Sequence, residues 1–427
     1  MRKLLLTVVL TVAAVWCSAA PVWRAAVTVV QPWGDTLHCL ASGDEFYAWL
    51  HDAEGFTIVQ HPATGAYVYA CSDPRQVMTD KGGARGGLPE GLGATGLVPG
   101  VDDPQQAGLK RGLMPTQRYL SAAHRAWAVP ETCVPAAPKD GSAITGVLNN
   151  VVIFIRFADE SVCTTSPFST IDGMFNDAEA GHSSLYNYFH KSSYGRLSVW
   201  SHYLPEAAAD GTVLSYQDVH ARNYFMPYNA VTNPSGYAND SARRSREFQL
   251  LQDAVAWVNT NCAVDSLPNV DADNDGLVDN VCFVVSGSYT GWSDLLWPHK
   301  WQLYDRTVNL GTKRIFTYNL QLAGSGESYF NVSTLCHEMT HTLGAPDIYH
   351  YDNYTSVSPG GSWDLMNSNA TPPQQTNSLF KLHFTGWLDS IPQIVDTGVY
   401  TLQSLGSGPN HAVKIASAVP HEWYILE

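Results

Sequence analysis

The string His337-Glu338-Met339-Thr340-His341, followed by Gly344 and Asp347, constrains this chain more than any other feature of it. A helix advances about 100° per residue, so two histidines four apart lie one above the other and offer two imidazoles to one point. Neutral imidazole nitrogens in a tetrahedral arrangement suit Zn2+, and a catalytic zinc keeps one position for water. Glu338 follows the first histidine but is offset around the helix, where it reaches that water without binding the ion, which gives it the role of general base. Gly344 suits a left-handed helix cap, and the bend it allows returns Asp347 beneath the metal as the third ligand. By average composition the five-residue string arises by chance about once in a hundred chains of this length, and the added Gly and Asp lower that by a factor of order a hundred. Two surface histidines beside an ordinary carboxylate are therefore the weaker reading.

At 427 residues the chain exceeds what one hydrophobic core organises, so two or three folding units are expected. Hydrophobic residues at 45% and charged residues at 15% exclude a largely disordered chain. The net charge of -15 argues against nucleic acid as a partner, because phosphate binding needs clustered Lys and Arg.

Met1-Arg2-Lys3, an apolar run from Leu4 to Trp16 and then Cys17-Ser18-Ala19-Ala20 read as a secretory signal over residues 1–19. That run is shorter than the roughly 20 apolar residues a membrane span requires. A secreted, extracellular chain with no membrane span in its mature form is the expectation. Residues 20–80 are strand-like between turn signals such as Trp33-Gly34-Asp35 and Thr64-Gly65, as in a small β-rich module. Residues 81–141 are rich in Gly and Pro, a linker with a short helix from Thr116 to Ala128. Arg85, Lys110 and Arg111 make that linker a processing site.

The main domain spans 142–390. Val151-Val152-Ile153-Phe154-Ile155 is a buried strand, Ser183 to His190 a helix, Arg196 to Trp200 a strand and Ser245 to Val258 an amphipathic helix. Val281 to Val285 is a second buried strand, Arg314 to Asn319 an edge strand, and Val332 to Leu343 the metal-bearing helix. The alternation predicts an α+β fold with a mixed twisted sheet backed by helices. Residues 391–427 return to strands, Val399-Tyr400-Thr401-Leu402 and Ala412-Val413-Lys414-Ile415, and the apolar ending predicts a further domain beyond Glu427.

Asp271, Asp273, Asp275 and Asp279 alternate around Gly276, as in Ca2+ loops, although Cys282 stands where a full EF-hand has its bidentate acid. A solvated acidic turn is the alternative. Of the eight cysteines, Cys262 and Cys282 flank this loop in positions to staple it, and Cys336 reads as a small buried residue. Cys39 and Cys71 can pair with each other or offer a thiolate to zinc.

After the zinc string comes Gly360-Gly361-Ser362-Trp363-Asp364-Leu365-Met366-Asn367, which resembles the Met-turn of metzincin metallopeptidases through Met366. Together with Gly43-Asp44-Glu45-Phe46-Tyr47, Tyr67-Val68-Tyr69-Ala70, Ser193-Tyr194-Gly195-Arg196-Leu197, Trp297-Pro298-His299 and Gly386-Trp387, the chain resembles the immune inhibitor A family of secreted metalloendopeptidases. The resemblance covers roughly the whole exported chain. It implies a propeptide and zymogen latency, a metzincin-like catalytic domain, a β-sandwich beginning near Ile391, and cleavage of protein or peptide substrates. Two departures stand out: His350 interrupts the acidic segment after Asp347, and Asn367, Ser368 and Asn369 occupy the stretch where some metzincins carry an oxyanion-supporting tyrosine. His299 or Tyr349 can substitute for it or be purely structural. The rival from another class is a cell-surface binding or adhesion protein whose zinc only holds the fold together, and a metal-dependent hydrolase acting on something other than protein is a third.

Overall fold

The computed structural model describes residues 22–43, 47–73, 88–116, 120, 144–287, 297–324, 330–349, 360–408, 410–420 and 422–427. The signal segment, Cys17, Arg85, Cys133, His350 and most of the helix expected from Thr116 to Ala128 lie outside the described residues.

The N-terminal unit is an antiparallel meander of six strands in sequence order: β1 (Val22–Val30), β2 (Thr36–Gly43), β3 (Ala48–His51), β4 (Thr57–Gln60), β5 (Tyr67–Asp73) and β6 (Gly91–Ala94). Its core gathers Val29, Cys39, Ala41, Leu50, Phe56, Ile58 and Tyr69. Part of the expected linker belongs to this unit. β6 pairs with β5, Leu92 is fully buried, and Leu97 and Leu109 pack against the core. The chain stays there because it closes backbone bonds onto the sheet, Gly112 N–H to Gly55 O at 2.7 Å and Thr116 N–H to Glu90 O at 2.9 Å. Glycine-rich composition thus misled where isolated leucines found a sheet to cover. Arg111 is held in an exposed ion pair with Glu54 at 2.6 Å.

The second unit is a mixed sheet ordered β11-β14-β10-β7-β8, from β7 (Gly146–Arg156), β8 (Leu197–Tyr203), β10 (Asn280–Val285), β11 (His299–Gln302) and β14 (Thr317–Leu322), with the short β9 (Tyr216–Gln217) also on β7. All neighbours are parallel except β11, which pairs antiparallel with β14 at the edge. Side chains alternate across the sheet, and the two buried central strands divide accordingly. Val151, Ile153, Ile155, Val281, Phe283 and Val285 enter one core, under α3 (Asp240–Asn261). Val152, Phe154, Cys282 and Val284 enter the other, with α1 (Phe168–Asn176), α2 (Leu185–Ser192) and α4 (Val332–Thr342). The molecule is therefore α+β with mixed sheets, and among the described residues no helix is long and apolar enough to cross a membrane.

Two sequence expectations are corrected here. Arg314 to Asn319 is not an edge strand: it splits into β13 (Lys313–Ile315), which forms a hairpin with β12 (Val308–Leu310), and β14, which lies inside the sheet. The true edge, His-Lys-Trp-Gln, lacks the branched residues that mark a strand and is recruited by pairing to β14. Val399 to Leu402 forms no strand; Val399 is fully exposed, and the C-terminal pair is β15 (Val413–Ala416) with β16 (Trp423–Leu426). A short helix, α5 (Ser378–His383), precedes a closing contact in which Trp387 donates its indole N–H to Ile144 O at 2.8 Å, joining the start of the second unit to its end.

Candidate metal centre

Asn331 caps α4 by accepting the Thr334 N–H at 2.9 Å, and Leu335, Cys336, Met339 and Leu343 bury the apolar stripe of the helix. His337 and His341 emerge on another face. Gly344, at φ 98°, takes the left-handed conformation expected of it and stops the helix. The bend that follows carries Asp347 back, so that His337, His341 and Asp347 each bring a ligand atom within 4.8 Å of the others.

The spacing is finer than that. The two Nε2 atoms are 3.1 Å apart, and Asp347 Oδ1 lies 3.1 Å from His337 Nε2 and 3.4 Å from His341 Nε2. Zinc bonds of about 2.0–2.1 Å in a tetrahedron put neighbouring ligand atoms about 3.3 Å apart, so the three atoms fit one face of such a site. Both imidazoles are oriented from behind. Nδ1 of His337 donates to Leu365 O at 2.9 Å and Nδ1 of His341 to Ala345 O at 2.8 Å, which turns each Nε2 toward Asp347. The side chains of His337 and Asp347 are 1% and 2% exposed while that of His341 is 15% exposed, which leaves the centre accessible from the His341 side.

Electrostatics favour a cation here. Burial pulls the His337 imidazolium down, yet the Asp347 carboxylate overrules it and raises the group to about 9. Against burial, His341 and His337 hold Asp347 well below the usual carboxylate range. The Asp347 charge that retains this proton would equally attract a divalent ion, which must displace the proton to bind. Glu338, 2% exposed, is pushed up chiefly by burial, with His337 and His341 opposing.

Leu365 and Met366 pack in the same core as this helix. Met366 is 2% exposed in the same core as Met339, and the preceding carbonyl, Leu365 O, is the one that holds His337. Asp364, given no role from sequence, organises the turn: its carboxylate accepts Met366 N–H at 2.7 Å, Asn377 N–H at 2.8 Å and Asn377 Nδ2 at 2.7 Å. An acid flanked by Gly-Ser-Trp and Leu-Met was the available signal. The backbone carbonyls had none, since every residue has one.

His299 has partners for both ring nitrogens. It faces α3, with Nε2 2.9 Å from Glu247 Oε1 and Nδ1 2.7 Å from Trp297 O, and Tyr318 also donates its hydroxyl to Glu247 Oε1. Burial lowers and Glu247 more than restores its proton affinity, so His299 titrates above an ordinary histidine. Both of its nitrogens are thus engaged on the α3 side of the sheet. Tyr349 is buried beside the bend, outside the three-ligand group.

At the acidic loop, Asp271, Asp273 and Asp275 come together as a second group able to hold a metal ion, but Asp279 does not join them. Its carboxylate instead accepts Ala272 N–H at 3.1 Å, and burial with the neighbouring aspartates raises it to about 7. Lys313 already pairs with the buried Asp271. A third, more exposed group, Asp177, Glu179 and His182, was not read from sequence; its members already pair, His182 Nδ1 to Asp177 Oδ2 at 2.7 Å. Among the described residues the cysteines are free thiols. Cys262 and Cys282 cannot staple the loop, since Cys282 points into the α4 side of the sheet and Cys262 packs on the α3 side. Cys39 is buried in the N-terminal core, where burial raises its thiol to about 11, and no cysteine joins the three-ligand group; Cys336 is fully buried in the α4 core, as expected.

No model of a known protein family matches the chain, and no curated protein matches it.

Proposed function

We propose that the chain is a secreted zinc-dependent endopeptidase, made latent by its N-terminal module, with His337, His341 and Asp347 as the metal ligands. The observation that carries this reading is the three-atom set with edges of 3.1, 3.1 and 3.4 Å, backed by carbonyls and accessible on one side. A structural zinc would be enclosed by four protein ligands, and among the described residues the group offers three. The antiparallel edge strand beside four parallel strands and the buried Met366 in the core of the helix also support a metzincin-like domain. Zinc, when bound, supplies Lewis acidity to a peptide carbonyl and makes a water acidic enough to lose its proton near neutrality. Glu338 then accepts a proton from the attacking water and passes it to the leaving amide nitrogen. Its burial raises its basicity toward that task. The test is hydrolysis of an unfolded protein with and without chelator. Activity lost on chelation while the fold persists supports the reading, whereas chelation that unfolds a chain never seen to hydrolyse anything favours the adhesion alternative.

Latency rests on Trp297. Two residues before His299, it is 1% exposed and completes the core of the N-terminal sheet with Leu50, Phe56 and Tyr69. A side chain from the start of the edge strand is thus buried in the preceding unit, which ties that unit to the strand flanking the zinc helix. Gln60 Nε2 adds a contact to Thr232 Oγ1 at 3.2 Å. Protein lacking everything before about Ser142 should hydrolyse faster than the full chain, by about ten-fold for each 1.4 kcal/mol of masking removed. Equal rates in the two would show that the module does not restrain the enzyme.

Calcium is the second ion we propose, at Asp271, Asp273 and Asp275. At ten times its dissociation constant it should stabilise the chain by about 1.4 kcal/mol, and the gain should grow in Lys313→Met, which removes the competing ammonium. An unfolding temperature indifferent to calcium in both proteins rules the site out.

A further inference from the structure

A row of polar side chains crosses the apolar core in which α4 lies. Asn150 on β7 stands opposite both Asn280 on β10 and Ser201 on β8, so the three share one row and one face of the sheet. Further along the same face Val152, Phe154, Cys282 and Val284 are all apolar. Asn150, Asn280 and Ser201 are buried, and a buried amide is costly unless its hydrogen bonds are made. Here they are made in sequence. Asn280 Nδ2 donates to Asn150 Oδ1 at 2.7 Å, and Asn150 Nδ2 donates to Ser201 Oγ at 2.9 Å. Ser201 is in turn tied to α1 through Asn176, whose Oδ1 accepts the Ser201 N–H at 2.8 Å and whose Nδ2 donates to Ser201 O at 2.9 Å. Each amide is oriented by the next, so Asn280 presents its Oδ1 to the helix side. That oxygen accepts the Thr342 hydroxyl at 3.0 Å, with Asn319 Oδ1 a second acceptor at 3.3 Å.

Thr342 is the last residue of α4 and follows the ligand His341. Whereas His337 sits in the middle of the helix, His341 sits in its final turn, where the last carbonyls have no partners within the helix and the end frays. Leu343 packs that end into the core, but apolar contact is non-directional and leaves the turn free to rotate. A hydroxyl bonded to an amide that cannot itself turn is directional. We propose that Asn280 and Thr342 are positioning residues for the metal centre: the bond between them fixes the last turn of α4 on the sheet and so keeps His341 in register with His337 and Asp347. The inference rests on the assignment of those three residues as metal ligands, and it adds two residues from outside the three-ligand group.

The test is the zinc affinity of the full chain, measured by competition with a chromophoric chelator, with the visible absorption of the Co2+ form as a second readout. Thr342→Val keeps the branched shape and removes the hydroxyl. It should weaken zinc binding by about 10- to 100-fold, the usual cost of losing a group that orients a ligand, and should change the Co2+ spectrum. Thr342→Ser keeps the hydroxyl and should restore both. Asn280→Leu should reproduce the loss, and adding Thr342→Val to it should cost little more, because the two changes remove the same bond. A Thr342→Val protein with wild-type zinc affinity and an unaltered Co2+ spectrum overturns the proposal, even where Asn280→Leu fails to fold. So does a Thr342→Ser protein that binds zinc as weakly as Thr342→Val. A wild type that binds no zinc overturns the ligand assignment and this inference together, whereas tight zinc binding by both wild type and Thr342→Val sinks this inference alone.

Discussion

Glu338→Gln should leave zinc bound in full and lower peptide hydrolysis by about 10^2–10^4-fold, the range that a positioned general acid–base contributes. The substitution keeps the volume and one carbonyl oxygen but removes the proton acceptor. The ligand triangle does not include Glu338, so metal content by elemental analysis should match wild type. The imidazoles are held by Leu365 O and Ala345 O, which the change leaves alone. Replacing a buried acid whose proton affinity is raised by burial with a neutral amide should not weaken the fold. A variant that binds zinc and digests an unfolded substrate at the wild-type rate would take the general base away from Glu338. Loss of zinc and activity together would instead make Glu338 part of the metal-holding structure.

His299→Ala should destabilise the chain by about 3–5 kcal/mol, the cost of leaving a buried charge without its partner. Glu247 is fully buried on α3, and among the described residues His299 and Tyr318 are the two donors to its Oε1. Alanine leaves Tyr318 as the one remaining donor to Oε1 among the described residues and opens a void behind β11. The pH dependence has a definite sign. The folded-state affinity of His299 for its proton is raised above the ordinary 6.5, so the stabilisation is complete below that pH and is lost as pH rises through the higher folded value. Urea unfolding at pH 6 should show the full difference between wild type and variant, and the gap should narrow at alkaline pH. A variant within about 0.5 kcal/mol of wild type, the usual range of harmless surface changes, would mean that the pair contributes nothing to stability. A collapse of hydrolysis with stability intact would return His299 to a role in chemistry.

Which parts were legible follows from how far apart the interacting residues lie along the chain. The helix, its cap at Gly344 and the eclipsed histidines are local, set within a few residues by periodicity and a left-handed turn, and they appear where expected. Val151 to Ile155 and Val281 to Val285 were legible as buried strands because apolar runs of that length have few other uses. The 22-residue helix Asp240–Asn261 began five residues earlier than its apolar pattern, in a turn where the buried Arg243 reads as surface from sequence. The acidic loop was recognised by spacing, but the fate of Asp279 depended on where Ala272 turned its amide.

Local sequence set a string able to hold a metal ion, a glycine bend and two buried strands, because each is decided by neighbours within one or two turns of chain. Packing between distant elements set that Leu365 O orients His337, that Glu247 claims His299, and that Trp297 is buried in the core of the N-terminal sheet. Those contacts join residues 28 to more than 200 positions apart, Leu365 with His337 and Trp297 with Val29 marking the range. They depend on strand order and on which face of a strand meets which layer, and a one-residue change of register would have reversed every one that runs through β11.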